Sequence, residues 1–120
     1  MLTGSCHCGA VHIEVAHKPE SLTECNCSIC HRYGARWAYY TRSTARVICS
    51  PEAETAYVWG DRTIEFYHCS TCGSLTHWES VEKLPDSRMG VNTRIMQQDQ
   101  LADVPVRKLD GASTWEYLED

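Results

Sequence analysis

The clustering of the cysteines constrains the fold more strongly than any other feature of the sequence. Seven of the eight cysteines fall into three short clusters, Cys6-x-Cys8, Cys25-x-Cys27-x-x-Cys30 and Cys69-x-x-Cys72. A C-x-x-C turn folds two thiols onto one metal ion, and a C-x-C pair does the same because residues i and i+2 of an extended chain share a face. Zinc–sulfur bonds of about 2.3 Å require the ligands to converge closely. The clusters therefore predict zinc sites that join distant segments.

The seven thiols divide most simply into a group of four and a group of three. The two-thiol clusters can close one structural zinc site of four cysteines, Cys6, Cys8, Cys69 and Cys72. The middle cluster then holds a second zinc with only three ligands, Cys25, Cys27 and Cys30. A fourth position left open is typical of catalytic zinc.

Two other divisions stay open at this point. Cys27-x-x-Cys30 and Cys69-x-x-Cys72 together would make a zinc ribbon, which leaves the remaining clustered thiols without partners. Alternatively Cys49, His31 or His68 completes the triplet, so that both sites are closed and the protein is a structural module. Cys49 lies in the apolar stretch RVICS, where a buried free cysteine is the simpler interpretation.

Composition narrows the class of protein. A chain of 120 residues with 42% hydrophobic and 22% charged residues predicts one globular domain, residues 1–120. No stretch approaches the roughly 18 apolar residues of a membrane span, and the N-terminus has no signal-peptide pattern. We therefore expect a cytoplasmic protein with reduced cysteines. The net charge of −5 argues against nucleic-acid binding, and the sequence does not indicate an oligomeric state.

Hydrophobic patterning predicts a mainly β fold of short antiparallel strands. VHIEV alternates cleanly, and RWAYYT, ARVICS, SLTHWE and RMGVNTRI are further strand candidates. AYVW and TIEFYH, separated by Gly60-Asp61, predict a hairpin. Helical signals are weak: one turn over Ser28 to Tyr33 that ends at Gly34, and a second over QQDQLADV.

Several polar and aromatic side chains are candidates for substrate contact. Four arginines and no acid lie between His31 and Arg46, so Arg32 and Arg36 predict a positive field that attracts an anion beside the triplet. Trp37 is a candidate pocket wall. His77 and Glu79 share a strand face and are candidates for acid or base, with His31 and Tyr33 as further options. Asn92 and Arg94 are candidates for carboxylate binding. For each residue the alternative is an ordinary structural or solvated role.

Three segments together resemble one protein family. GSCHCGAVHIEV, CNCSIC and FYHCSTCGSL, in that order, resemble the glutathione-dependent formaldehyde-activating enzymes, also called the CENP-V/GFA domain family, and DGASTWEYLE looks like the tail of one branch. The resemblance implies a small β "tent" held by zinc, with the outer clusters structural and the middle cluster catalytic. It also implies glutathione and formaldehyde as reactants in a carbon–sulfur lyase reaction run in reverse. CHRYGARWAYY and RMGVNTRI depart from the family pattern.

The chemistry of three thiolates favours thiol–carbonyl addition over hydrolysis. Three thiolates leave zinc a weak Lewis acid, and its affinity for sulfur favours an incoming thiol, which stays a nucleophile once deprotonated. The expected partners are an anionic thiol similar to glutathione and a small aldehyde. A non-catalytic zinc module that binds a protein or small ligand is the first alternative. A thiol redox protein that uses Cys27-x-x-Cys30 is the second, and the extra thiol of Cys25 argues against it.

Overall fold

The computed structural model describes residues 2–118, and strands account for most of its regular structure. The strands in chain order are β1 (Leu2–Ser5), β2 (His12–Val15), β3 (Leu22–Cys25), β4 (Trp37–Thr41), β5 (Ala45–Ile48), β6 (Glu54–Val58), β7 (Ile64–Cys69), β8 (Leu75–Ser80), β9 (Arg88–Asn92), β10 (Val106–Leu109) and β11 (Tyr117–Leu118). One α-helix, α1 (Ser28–Tyr33), and three short 3₁₀ helices, Pro51–Ala53, Thr93–Ile95 and Gln98–Leu101, complete the elements of this range. The predicted mainly β class is confirmed.

The strands form two sheets of unequal size. The small sheet has the order β1-β2-β5, and the large sheet has the order β11-β10-β3-β4-β9-β8-β7-β6. All pairings are antiparallel except that of β10 with β3, which is parallel. Parallel neighbours need a long connection, and here it runs from β3 through most of the chain. The C-terminal strands thereby return to the edge of the sheet next to CNCSIC.

The two faces of the large sheet are covered differently. The small sheet packs on one face, where Ile13 and Val15 of β2 meet Ala38 of β4 and Val91 of β9. The opposite face carries an aromatic cluster of Trp37 with Phe66, Leu75 and partly buried neighbours. Because side chains alternate along a strand, consecutive residues of β4 and β8 serve opposite faces.

Local signals at the helix and the hairpin behave largely as the sequence predicts. Helix α1 follows the knuckle and ends at Gly34, whose φ of 66° is the left-handed cap that glycine favours. The β6–β7 hairpin has a five-residue loop rather than a tight two-residue turn, with positive φ at Gly60 and at Arg62. The Asp61 carboxylate stabilises this loop by accepting hydrogen bonds from the Thr63 N–H at 3.3 Å and hydroxyl at 2.9 Å.

Other elements depart from the sequence pattern. The strand predicted in RMGVNTRI stops at Asn92, whose side chain accepts from the Arg94 N–H and caps a 3₁₀ helix. The turn predicted in QQDQLADV is also a 3₁₀ helix. The sequences of strands β1, β3, β10 and β11 show no clear alternation of polar and apolar residues. Strands β1 and β11 lie at sheet edges, and β3 pairs with β10 in parallel, so these positions set the environment of their side chains. No helix among residues 2–118 is long and apolar enough to cross a membrane.

Candidate functional site

The first cysteine cluster joins the two sheets. Cys6 and Cys8 follow β1 of the small sheet, Cys69 ends β7 of the large sheet, and Cys72 lies in the next turn. The four sulfurs lie within 4.8 Å of one another, with Cys8 Sγ 3.7 Å from Cys6 Sγ and 3.5 Å from Cys69 Sγ. Cys8 and Cys69 are 61 positions apart in the chain. This four-cysteine cluster could hold a metal ion as a closed site.

Backbone and hydroxyl groups around the four-cysteine cluster favour the thiolate forms of Cys69 and Cys72. The backbone N–H groups of Cys72 and Thr71 lower the pKa of Cys69, and each nitrogen lies 3.4 Å from Cys69 Sγ. The Ser74 side chain, 3.3 Å from Cys72 Sγ, and its backbone N–H lower the pKa of Cys72 to about 5. Thiolate is the form that binds zinc, so these donors suit a metal site.

The second cluster, of Cys25, Cys27 and Cys30, is built within one short segment. Cys25 ends β3, Cys27 is the N-cap of α1, and Cys30 lies in the helix. The three sulfurs lie within 4.8 Å of one another. No further His, Cys, Asp or Glu of residues 2–118 joins this three-cysteine cluster, including His31, Cys49 and His68. The fourth side of a tetrahedral metal ion held here would therefore be open.

The three thiols differ in how readily they ionise. Burial raises the pKa of Cys25 and, more strongly, that of Cys30. Burial also acts on Cys27. Hydrogen bonds with the backbone N–H and thiol of Cys30, together with those of the Cys25 thiol and the Ile29 N–H, outweigh it and lower the pKa of this thiol. The Cys30 nitrogen lies 3.4 Å from Cys27 Sγ, as expected for a side chain that caps the helix. Cys27 is thus the thiol that ionises most readily in the cluster.

The Trp37 indole N–H is aimed at the three-cysteine cluster. Trp37 is 1% exposed, and its Nε1 has no hydrogen-bond partner among residues 2–118. Its N–H faces the Cys30 thiol and opposes the larger effect of burial on the pKa of that group. A buried donor without a conventional acceptor is uncommon, and a metal-bound thiolate would satisfy it. The orphaned N–H therefore fits a metal at this cluster.

A cavity of about 600 Å³ opens beside the three-cysteine cluster. Besides the cysteines, its walls come from three parts of the chain: the face of the large sheet, the β6–β7 loop and the loop between β10 and β11. Its larger side chains are Ile29, Trp37, Tyr39, Trp59, Ile64, Phe66, Trp78, Leu109 and Trp115. Gly111 contacts the cluster so closely that a Cβ there would collide with Cys25 Sγ.

Of the predicted substrate-contact residues, only Trp37 lines this cavity. Arg36 points elsewhere and is paired with Glu24, with 2.8 Å between Arg36 Nε and Glu24 Oε2. Arg32 is exposed and donates to the Ser28 carbonyl of its own helix at 2.9 Å. The structure does not bring either arginine to the cavity, because α1 and the chain entering β4 direct them outward.

His77 and Glu79 are brought together, but on the opposite face of β8. His77 is fully buried, its Nε2 lies 3.0 Å from Glu79 Oε2, and its ring stacks on Tyr67 at a centroid distance of 4.6 Å. Trp78, which lies between them, faces the cavity beside the cysteines. The pair shares a strand face as predicted, but the alternation of side chains directs that face away from the three-cysteine cluster.

Glu79 lines a different cavity, of about 580 Å³, between the two sheets. Arg42, Arg46, Glu14 and Glu54 also line this second cavity, and Cys49 borders it. Arg42 Nε lies 3.6 Å from Glu79 Oε1, so much of the charge is paired.

The remaining candidates have structural partners. Asn92 is buried, donates to the Leu75 carbonyl at 2.9 Å and accepts from two backbone N–H groups. Arg94 donates to the Gly34 carbonyl. These bonds occupy the Asn92 amide and the Arg94 Nε. Cys49 is half-buried and packs against the four-cysteine cluster without joining it.

Sequence reasoning missed most of the cavity wall. Trp59, Trp78 and Trp115 were not among the predicted site residues, yet they line the cavity with Trp37, so all four tryptophans of the chain meet there. Trp59 and Trp115 are 43% and 69% exposed. Their spacing in the sequence gives no sign of this convergence. The available signal was the high number of tryptophans in a short chain.

Comparison with known proteins agrees with the geometry. The model of the family described as glutathione-dependent formaldehyde-activating enzyme matches residues 1–107. A crystal structure of a protein from Rhodobacter sphaeroides is similar to this chain, with 36% sequence identity and a TM-score of 0.70. The alignment covers 88% of this chain and 99% of that one. With two cysteine clusters that could hold metal ions and a family match over most of its length, the chain belongs to the glutathione-dependent formaldehyde-activating enzyme family.

Proposed function

We propose that the protein is a zinc enzyme that adds a thiol to an aldehyde, which is the synthetic direction of a carbon–sulfur lyase reaction. One observation carries the proposal: the three-cysteine cluster has no fourth ligand among residues 2–118 and opens into a cavity of about 600 Å³. A closed cluster would favour a purely structural module. The family description, which names glutathione and formaldehyde, supports the same chemistry.

The donor atoms suit zinc at both clusters. Sulfur ligands at tetrahedral spacing select zinc over hard cations such as magnesium or calcium. In this proposal Cys6, Cys8, Cys69 and Cys72 hold a structural zinc, and Cys25, Cys27 and Cys30 hold the catalytic zinc. The Trp37 N–H and the backbone N–H groups of α1 would stabilise the thiolates of the second group.

When bound, zinc on three thiolates supplies a soft fourth position at which a substrate thiol loses its proton and remains a nucleophile. The chain supplies the surroundings of that position. Trp37 and Tyr39 of β4 and Trp78 of β8 form a rigid floor, because all three lie on paired strands of the large sheet. The loops that carry Trp59 and Trp115 form the sides. These walls hold the carbonyl partner next to the thiol.

The reaction balances without an oxidant or reductant. The thiol sulfur forms a bond to the carbonyl carbon, and the carbonyl π bond breaks. The thiol loses its proton, and the carbonyl oxygen gains a proton to become the new hydroxyl group. No histidine lines the cavity among residues 2–118, and Asp61 is its one carboxylate. We therefore assign the proton exchange to water at the open side of the cavity.

Cobalt substitution tests the proposal, because thiolate bound to cobalt absorbs visibly. Adding thiols in turn should change the spectrum of one site, and thiol with aldehyde should reach its hemithioacetal equilibrium faster than without protein. The Cys27→Ala variant, which lacks one ligand of the open site, should show neither effect. A spectrum indifferent to every thiol, with no acceleration, would replace this proposal with a zinc module that binds a ligand without catalysis.

A further inference from the structure

The walls of the cavity beside the three-cysteine cluster have an unusual composition. All four tryptophans of the chain line it, together with Tyr39 and Phe66, whereas none of its 11 lysines and arginines does. Its one charged side chain outside the cysteines is Asp61, whose Oδ1 already accepts two hydrogen bonds from Thr63 within the β6–β7 loop. Such walls favour a flat apolar group over a charged one.

The charged groups that line the cavity act against an anionic reactant. Three thiolates on a divalent zinc ion carry a net charge of −1, and Asp61 adds a second negative charge at the rim. A thiol that carries carboxylates, as glutathione does, would lose hydration here without meeting a cation in the cavity wall. Arg36 cannot serve as that cation in this arrangement, because it is paired with Glu24.

The rim tryptophan Trp115 is held in place rather than left loose. Its backbone has a φ of 60°, which is rare for a large residue, and its backbone N–H donates to the Asp110 carbonyl at 2.7 Å. Asn26, the residue between the first two thiols of CNCSIC, holds this loop by donating to Asp110 Oδ1 at 3.0 Å and accepting from the Ala112 N–H at 2.9 Å. An exposed aromatic ring kept in a strained conformation beside a reactive cluster indicates a binding role.

We propose that the substrate of this site carries an uncharged aromatic or bulky apolar group, so that glutathione with formaldehyde is not its preferred pair. The inference rests on the proposed thiol–aldehyde addition and specifies its substrate class. The apolar group can belong to the thiol or to the aldehyde, because both reactants must lie in the same cavity. In either case the sulfur–carbon bond forms as described above, and the rings of Trp59, Trp78 and Trp115 contact the apolar group.

Matched thiols test the preference on the cobalt-substituted protein, where coordination is read from the absorption spectrum. Phenylmethanethiol should bind at least about tenfold more tightly than 2-mercaptoethanol, as expected for burying a ring. It should also bind more tightly than 4-(mercaptomethyl)benzoate, which differs from it only by an added carboxylate. Glutathione or 2-aminoethanethiol binding as well as phenylmethanethiol would overturn the proposed substrate class while leaving the thiol–aldehyde function intact.

Variants at the rim separate ring contact from general damage. Trp115→Ala and Trp59→Ala remove exposed rings and should each weaken phenylmethanethiol about tenfold, with 2-mercaptoethanol changed less than about twofold. Tyr57→Ala removes an equally exposed ring on β6 that does not line the cavity and should change neither affinity. Equal losses for both thiols in the rim variants would count against the inference.

Placing the apolar group on the thiol in one reaction and on the aldehyde in another shows which reactant carries it. Acceleration of phenylmethanethiol with formaldehyde places the group on the thiol, and acceleration of 2-mercaptoethanol with phenylacetaldehyde places it on the aldehyde. If no thiol alters the cobalt spectrum, the proposed function fails, and quenching of tryptophan fluorescence by phenylacetaldehyde then decides the inference alone. Quenching that Trp115→Ala weakens would support an aromatic ligand, and no quenching would overturn it.

Discussion

The two cysteine clusters use the same ligand atom to build sites of opposite kinds. The four-cysteine cluster draws on both sheets and joins residues 61 positions apart, and two of its sulfurs are almost fully buried. The three-cysteine cluster arises within six residues and adjoins a cavity of about 600 Å³. A ligand set that spans the fold must form when the fold forms, whereas a local set can leave one side open without loss of the fold.

The surroundings of the clusters differ in the same sense. In the four-cysteine cluster, backbone N–H groups and the Ser74 hydroxyl contact the sulfurs of Cys69 and Cys72, so these sulfurs interact with the protein itself. The three-cysteine cluster has an indole N–H from Trp37 on one side and aromatic walls on the others. The two clusters thus differ in the number of their cysteines and also in the distance along the sequence over which those cysteines are collected.

The largest expected effect is the loss of one long-range ligand. Cys69→Ala should leave the chain unfolded or insoluble, because structural zinc contributes on the order of 10 kcal/mol to folding in small zinc domains. Circular dichroism and the zinc content of the purified protein measure the outcome. Its counterpart Cys27→Ala should stay folded and lose about one equivalent of zinc, as expected for an open three-ligand site.

Two outcomes would contradict the expected difference between Cys69→Ala and Cys27→Ala. Equal unfolding of Cys27→Ala would show that the three-cysteine cluster is also structural. A folded Cys69→Ala protein with full zinc content would show that the long-range cluster does not hold the sheets together.

A smaller effect is expected from crowding the open cluster. Gly111→Ala places a Cβ against Cys25 Sγ, and overpacking of this kind costs about 1–3 kcal/mol. The cost should appear as weaker binding of the second zinc equivalent in a competition titration with a chelator, while the first equivalent is unaffected. Ser113→Ala, in the same loop and exposed, is the matched control and should bind both equivalents normally.

Removing the indole N–H should have a more moderate effect. Trp37→Phe keeps a ring in the aromatic cluster but deletes the donor that faces Cys30. Loss of such a partner typically weakens metal binding at least about tenfold, and the cobalt–sulfur absorption should shift with it. An unchanged spectrum and affinity would mean that this N–H does not reach the metal ligands.

The smallest effect is expected at the arginines that the sequence first indicated. The double variant Arg32→Ala, Arg36→Ala should change the binding of any thiol, glutathione included, by less than about twofold, because neither side chain lines the cavity. Loss of the partly exposed pair with Glu24 should cost at most about 1 kcal/mol of stability. A selective loss of glutathione binding in isothermal titration would restore the arginines to the site.

Local patterns in the sequence were enough to predict the parts of the molecule that form locally. The alternation in VHIEV gives β2, and the cap at Gly34 ends α1 where predicted. Period-two reasoning placed His77 and Glu79 on one face of β8. It could not tell which face meets the cysteines, because that depends on how the large sheet is covered.

The cavity depended on contacts that no local pattern encodes. Strand β10 pairs with β3 in parallel although six strands, α1 and three 3₁₀ helices lie between them in the chain. This pairing brings Gly111 and Trp115 to the cysteines. Likewise the β6–β7 loop reaches the cavity from the far part of the large sheet. A run of arginines near CNCSIC is visible in the sequence, but the partners that neutralise it, such as Glu24, are not recognisable without coordinates.

The attachment of the C-terminal loop to Asn26 bears on how such a protein can diversify. The family match ends at residue 107, whereas the wall made by Gly111 and Trp115 lies beyond it. The Asn26 side chain links the loop to the motif through two hydrogen bonds. This wall can therefore differ between relatives that keep the same cysteine clusters. For the protein engineer, residues 110–118 are the natural segment to exchange between relatives.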